Sequence, residues 1–120
     1  MDKKILAKQK MNNVNVFNIL KRLGIKSSNI GTKYIISTLL IGYKQYPNYL
    51  NMEKIYIQVA NIYHVSTQAV KTGIKYSLDH RDYMLAKKNF ESIFGYEYNE
   101  YTFMNKEFFE EVFRVISVDY

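Results

Sequence analysis

The chain has no cysteine and no tryptophan, and only one proline and five glycines in 120 residues. Without thiols, disulfide staples and thiolate catalysis are both excluded. The two histidines, His64 and His80, cannot supply a three- or four-ligand zinc site unaided, so no metal and no cofactor is expected. Proline and glycine are too few for a collagen-like or low-complexity chain, and with 48% hydrophobic and 23% charged residues the sequence reads as globular. Long apolar runs are also missing. The strongly apolar uncharged stretch at residues 34–43 lies between Lys33 and Lys44 and falls well short of the roughly 20 residues that span a bilayer. Residues 1–10 are basic but precede no apolar core with a cleavage site, so no secretory signal is expected, and the expected location is cytoplasmic, away from membranes. Stability must then come from packing, for which 12 tyrosines and seven phenylalanines supply the bulk of one core.

Acidic charge is scarce over most of the chain. Residues 1–90 hold 15 Lys/Arg against four Asp/Glu, a balance of +11, whereas residues 91–120 hold two against seven, a balance of −5. A basic body gains free energy on phosphates because bound counterions are released. The same lysines also serve solubility alone, so charge leaves nucleic-acid binding and a merely solvated surface both open.

Apolar spacing predicts helices throughout and no strand of useful length. Residues 1–12 read as a flexible basic arm and 13–120 as one helical domain. Val14, Phe17, Leu20 and Leu23 suggest a first helix stopped by Gly24. Residues 32–43 are apolar nearly all round and suit a central, buried helix, after which Pro47 ends any continuation and residues 46–51 form a loop. Ile55, Val59, Ile62 and Tyr63 then share one face of a third helix. After a break at His64-Val65, Ser66 is the expected N-cap of a fourth, with Val70, Ile74 and Leu78 at i, i+4, i+8. Two helices joined by so short a turn make a helix-turn-helix at about 53–79. On the usual 20-residue pattern begun at Tyr56, Ala60 takes the small fifth position, while Tyr63, Val65 and Val70 take apolar positions eight, ten and fifteen. The ninth position, commonly glycine, is His64. Beyond Asp82 a short helix runs to Phe94 and is closed by Gly95. After a tyrosine-rich loop, a last helix capped by Asn105 carries the stripe Phe108, Phe109, Val112, Phe113 and Ile116. The predicted fold class is all-α, a bundle of about six helices with a central helix-turn-helix.

Catalytic chemistry is not visible. The string His80-Arg81-Asp82 resembles a kinase catalytic-loop fragment, but no G-x-G-x-x-G loop accompanies it, and His80 and Arg81 are better placed against the negative end of a helix. Neither Glu110-Glu111 nor Asp79 with Asp82 accompanies a nucleophile, so the protein is expected not to be an enzyme.

Several blocks in order resemble one family over residues 16–116. They are Leu23-Gly24-Ile25 with Gly31 and Tyr34-Ile35, then Tyr56, Val59-Ala60 and Tyr63, then Val70 and Ile74, and finally Phe94-Gly95-Tyr96 and Asn105-Lys106-Glu107-Phe108. Together they are similar to the C-terminal DNA-binding (effector) domain of the stage-zero sporulation master response regulator. The resemblance implies a six-helix transcription-regulating domain with a central helix-turn-helix, and a last helix that helps pair domains on tandem DNA sites. The chain departs from that family where the recognition helix is similar to R-V-E-R-x-I-R. Here the stretch is Ala69-Val70-Lys71-Thr72-Gly73-Ile74-Lys75, and the bidentate guanidinium fork is lost at Ala69 and Thr72. Ile57 also replaces a proline. The family's receiver domain has no room in 120 residues, so phosphorylation control is expected to be lost or supplied by another protein.

The leading expectation is a sequence-specific double-stranded DNA-binding regulator whose helix at about 66–79 enters the major groove. Thr67, Gln68, Lys71, Thr72 and Lys75 form the expected outward set. Within it Gln68 suits adenine, Lys71 guanine and Thr72 a thymine methyl, while Ser66, Thr67, Lys75, Lys33 and Lys54 suit phosphates. Phe109 and Phe113 are the expected dimerisation residues. The expected partners are duplex DNA, a second copy or a related regulator on tandem sites, and RNA polymerase. The alternative is an interaction protein that dimerises with a full-length relative and antagonises it without productive DNA binding, a reading prompted by the lost arginines and the acidic last quarter.

Overall fold

The computed structural model of the protein describes residues 15–46 and 51–118, and all regular structure among them is helical. Helix α1 occupies residues 15–22, α2 Ile30–Tyr43, α3 Met52–Tyr63, α4 Thr67–Asp79, α5 Tyr83–Phe94 and α6 Asn105–Val118, with a 3-10 turn at Glu100–Phe103. The all-α, six-helix expectation holds. The basic arm at 1–12, Val14 and Pro47 lie outside the described residues.

Helix ends follow local chemistry. Gly24 and Gly95 both take positive φ, +74° and +86°, which a side chain would resist, and they stop α1 and α5. Ser66 caps α4 as expected, its side-chain oxygen accepting from Ala69 N–H, and Asp82 caps α5 in the same way, accepting from Leu85 N–H. At α6 the expectation fails. The extended residue before the helix is Met104, and Asn105 is already helical, its amide donating to the Lys71 carbonyl at 3.1 Å.

Helix α2 sits in the middle, in contact with α3, α4 and α6. It touches α4 where Gly31 meets Gly73, so closely that a Cβ on Gly31 would stand 1.8 Å from the Gly73 carbonyl oxygen. At its other end Gly42 makes room for the Phe113 ring. Behind α2 the tyrosines and phenylalanines of α5, the 3-10 turn and α6 form a continuous ring cluster, with Phe90 in contact with Phe94, Tyr96, Tyr98 and Phe103.

Three sequence expectations about faces are corrected. The buried face of α1 is Val16, Ile19, Leu20 and Leu23, and Phe17 is 54% exposed. The i, i+3, i+6 series drifts by about 60° per step, whereas i, i+3, i+4, i+7 keeps one stripe. On α3 the buried face is Ile55, Tyr56, Val59 and Ala60, and Ile62 in the last turn is exposed. Most consequential, Phe109 and Phe113 are 0% exposed. Phe109 packs on Tyr56 and Phe108, and Phe113 stacks on Tyr46, so neither offers a surface to a second copy or a relative. The apolar stripe of α6 is wrapped on both sides, by α2 with its glycine and by the rings before α6.

Candidate nucleic-acid interface

Three residues, 64–66, separate α3 from α4. His64, at the pattern's glycine-preferring position, has φ 55° and ψ 45°, and among the described residues it alone adopts positive φ without being glycine. An L-residue in this left-handed region costs about 1–2 kcal/mol, a burden the surroundings must offset. They do so through the turn's hydrogen bonds: the N–H groups of His64 and Val65 both donate to the Ala60 carbonyl, the latter at 3.0 Å. Ser66 then accepts from Ala69 N–H at 3.0 Å, and α4 sets off at a fixed angle to α3.

The inner face of α4 is as expected. Val70, Ile74 and Leu78 are completely buried. The neighbouring Ser77 is buried too, its hydroxyl 3.3 Å from that of Thr32, which donates to the Lys26 carbonyl at 2.6 Å.

The outer face carries Gln68, Thr72 and Lys75, all exposed. The Gln68 amide donates to the Thr72 hydroxyl at 3.2 Å, and Lys75 Nζ pairs with Asp79 at 3.0 Å. The structure brings these three together. Lys71 departs from the expected set: it lies on the flank, its ammonium 2.6 Å from Glu53 on α3 and 5.8 Å from the Tyr56 ring centre. It opens into a cleft of about 510 Å³ whose walls include Met52, Glu53, Tyr56, Asn105 and Glu110. Burial, followed by the Glu53 and Glu107 carboxylates, pushes the Tyr56 phenol up to about 12, so it remains a neutral hydrogen-bonding group. Ser66 is engaged as a cap, and Thr67 is half-buried. Lys54 is exposed in the first turn of α3. Lys33 is exposed in the first turn of α2.

One feature of this face was missed. Tyr76 continues the Gln68–Thr72 series by four more residues, is 52% exposed, and stacks on His80 with ring centres 3.8 Å apart and planes 20° from parallel. The i+4 step was the available signal. His80 Nδ1 lies 2.9 Å from the Tyr76 carbonyl, and Arg81 donates to the Leu78 carbonyl at 2.7 Å, so both cap the end of α4 as the sequence suggested. The Arg81 guanidinium lies over the Phe103 ring at 3.7 Å and donates to Tyr98 and Glu100. Hydrogen bonds from Tyr98 and then Arg81 outweigh partial burial and hold the Glu100 carboxyl below its ordinary value. No group of three metal-ligating side chains occurs among the described residues, and no described helix is long and apolar enough to cross a membrane.

The chain matches the family described as Sporulation initiation factor Spo0A C terminal over residues 16–116. It belongs to that family. The Spo0A C-terminal family comprises DNA-binding domains of transcription regulators, and the match runs from α1 into α6, so it contains both helices of the candidate interface. No curated protein and no solved structure gives a significant match to the chain.

Proposed function

We propose that the protein is a sequence-specific double-stranded DNA-binding transcriptional regulator in which α3 and α4 act as a helix-turn-helix and the N-terminal half of α4 enters the major groove. The observation that carries this reading is the turn. His64 holds the left-handed conformation usually assigned to glycine, so α4 is fixed on α3 with Gln68, Thr72 and Lys75 facing out. Family membership over residues 16–116 supports it independently. Gln68 has the amide geometry for adenine N6/N7, Thr72 has a methyl for thymine, and Lys75 has a charge for phosphate. Lys71 reaches a guanine only by leaving Glu53.

The alternative, an antagonist that pairs with a full-length relative, loses the two phenylalanines it relied on, because both are in the core. Pairing on tandem sites requires another surface.

Selection of bound sequences from a random duplex pool tests binding and defines the site together. Affinity for the selected duplex should fall by orders of magnitude between about 50 and 200 mM salt, as several phosphate contacts require. A titration indifferent to salt, or no binding at low salt, overturns the reading. Lys75→Ala should weaken binding to all sequences alike, whereas Gln68→Ala should relax preference at particular base pairs by about 1–3 kcal/mol.

A further inference from the structure

We propose that Tyr76 is a DNA-contacting residue, its phenol donating to a phosphate oxygen at the wall of the groove, and that His80 is the positioning residue that holds its ring. This rests on the reading of α4 as the recognition helix.

Both lysines of α4 already have anionic partners, Glu53 for Lys71 and Asp79 for Lys75. Ala69 and Thr72 provide no long donor. The largest exposed side chain in line with Gln68 and Thr72 is therefore Tyr76, a residue about half exposed to solvent. Eight residues separate Gln68 from Tyr76, about 12 Å along the helix axis, a length comparable with the width of the major groove. A helix whose N-terminal half lies at the base edges thus carries residue 76 out towards the sugar-phosphate wall. A phosphate oxygen there accepts hydrogen bonds only, and a phenol donates one.

The ring is held in place before any ligand arrives. His80 lies against it in a near-parallel stack, and its Nδ1 is 2.9 Å from the Tyr76 carbonyl. A carbonyl only accepts, so the imidazole proton resides on Nδ1 and the ring orientation is fixed. A stacked tyrosine has surrendered its rotamer freedom already, and contact with DNA then immobilises little more.

The test uses the full chain with duplex selected from the random pool, titrated at several salt concentrations. Tyr76→Phe removes one oxygen and keeps the stack. It should weaken binding about tenfold on every sequence, as for a lost hydrogen bond to a charged group. The salt dependence should be unchanged, because a neutral donor releases no counterion. His80→Ala should lose part of the same affinity, and His80→Phe, which can still stack, should restore it. Circular dichroism should match wild type for all three, since both side chains are exposed. If Tyr76→Phe binds like wild type at every salt concentration, or if the loss is confined to particular base pairs, the proposal falls while the recognition-helix reading stands. If wild type binds no duplex at low salt, both fall.

Discussion

Between α5 and α6, ring meets ring: Phe90 has its centroid 4.7 to 5.9 Å from those of Phe94, Tyr96, Tyr98 and Phe103, and Phe108, Phe109 and Phe113 continue the series. Between α2 and α4 the closest approach is backbone to backbone, at Gly31 and Gly73, with the Tyr34 ring and the Thr32 and Ser77 hydroxyls packed beside it. Large residues define one half by filling space. Two absent side chains define the other by setting how closely its helices approach. The aromatic half should therefore suffer most from deletion and the α2–α4 joint most from addition, and the candidate interface rides on the second kind of contact.

The largest effect is expected where the two halves share a core. Ile74→Asp places an unpaired carboxylate at a completely buried position, and the helical circular dichroism signal should collapse, a loss of more than about 4 kcal/mol. A folded, soluble Ile74→Asp would mean that the register of α4 is wrong. Next comes deletion in the aromatic half: Phe109→Ala or Phe113→Ala should destabilise by about 3–5 kcal/mol in denaturant unfolding, by lost transfer energy plus the cavity left behind. A near-neutral result for either would return that residue to the surface and revive its role in pairing.

Addition at the joint ranks third. Gly31→Ala would put a methyl 1.8 Å from a carbonyl oxygen that cannot swing aside, and the expected loss, about 3 kcal/mol, lies at the upper end for overpacking. Gly95→Ala serves as the control. Its new methyl meets nothing within 4 Å but would have to sit at positive φ, so only the conformational cost of about 1–2 kcal/mol is expected. If the two variants lose equally, crowding is not what sets the α2–α4 distance.

The smallest effect concerns the ion pair that ties the aromatic half to the end of α4. Glu100 titrates below an ordinary glutamate because of Tyr98 and Arg81, so the stability it contributes is fully present above the unfolded value of about 4.3. It is lost as pH falls through the lowered folded value. Glu100→Gln should therefore flatten the acid limb of the stability curve and change little at neutral pH, since the carboxylate is mostly exposed. An unchanged acid limb would remove Glu100 from the account.

Much of this was legible because it is local. Ser66 and Asp82 cap the helices they precede, Gly24 and Gly95 end the helices they follow, and Val70, Ile74 and Leu78 repeat at the helix period. What escaped depends on residues distant in sequence. Nothing near Phe109 or Phe113 shows that Tyr56 and Tyr46 will cover them. Nothing near Lys71 shows that Glu53, on the preceding helix, will draw its charge off the outer face. The two glycines gave no hint of each other, because a close approach has no residue pattern of its own. Tyr76 is different in kind: its i+4 step from Thr72 is visible in the sequence, but a lone aromatic on an otherwise polar face has no periodic partner that marks it out.

Helix α4 is seated on α2 with backbone against backbone at one point, which leaves little compliant layer beneath it there. Where only side chains separate two helices, a rotamer change lets one tilt; where the Gly31 and Gly73 backbones bear on each other, α4 has less freedom to turn against α2, the middle of the fold. On the DNA-binding reading, the duplex must then accommodate the protein. Sequences that bend or widen their groove cheaply are favoured even at base pairs no side chain reaches, and part of the target's identity is written in the stiffness of the DNA.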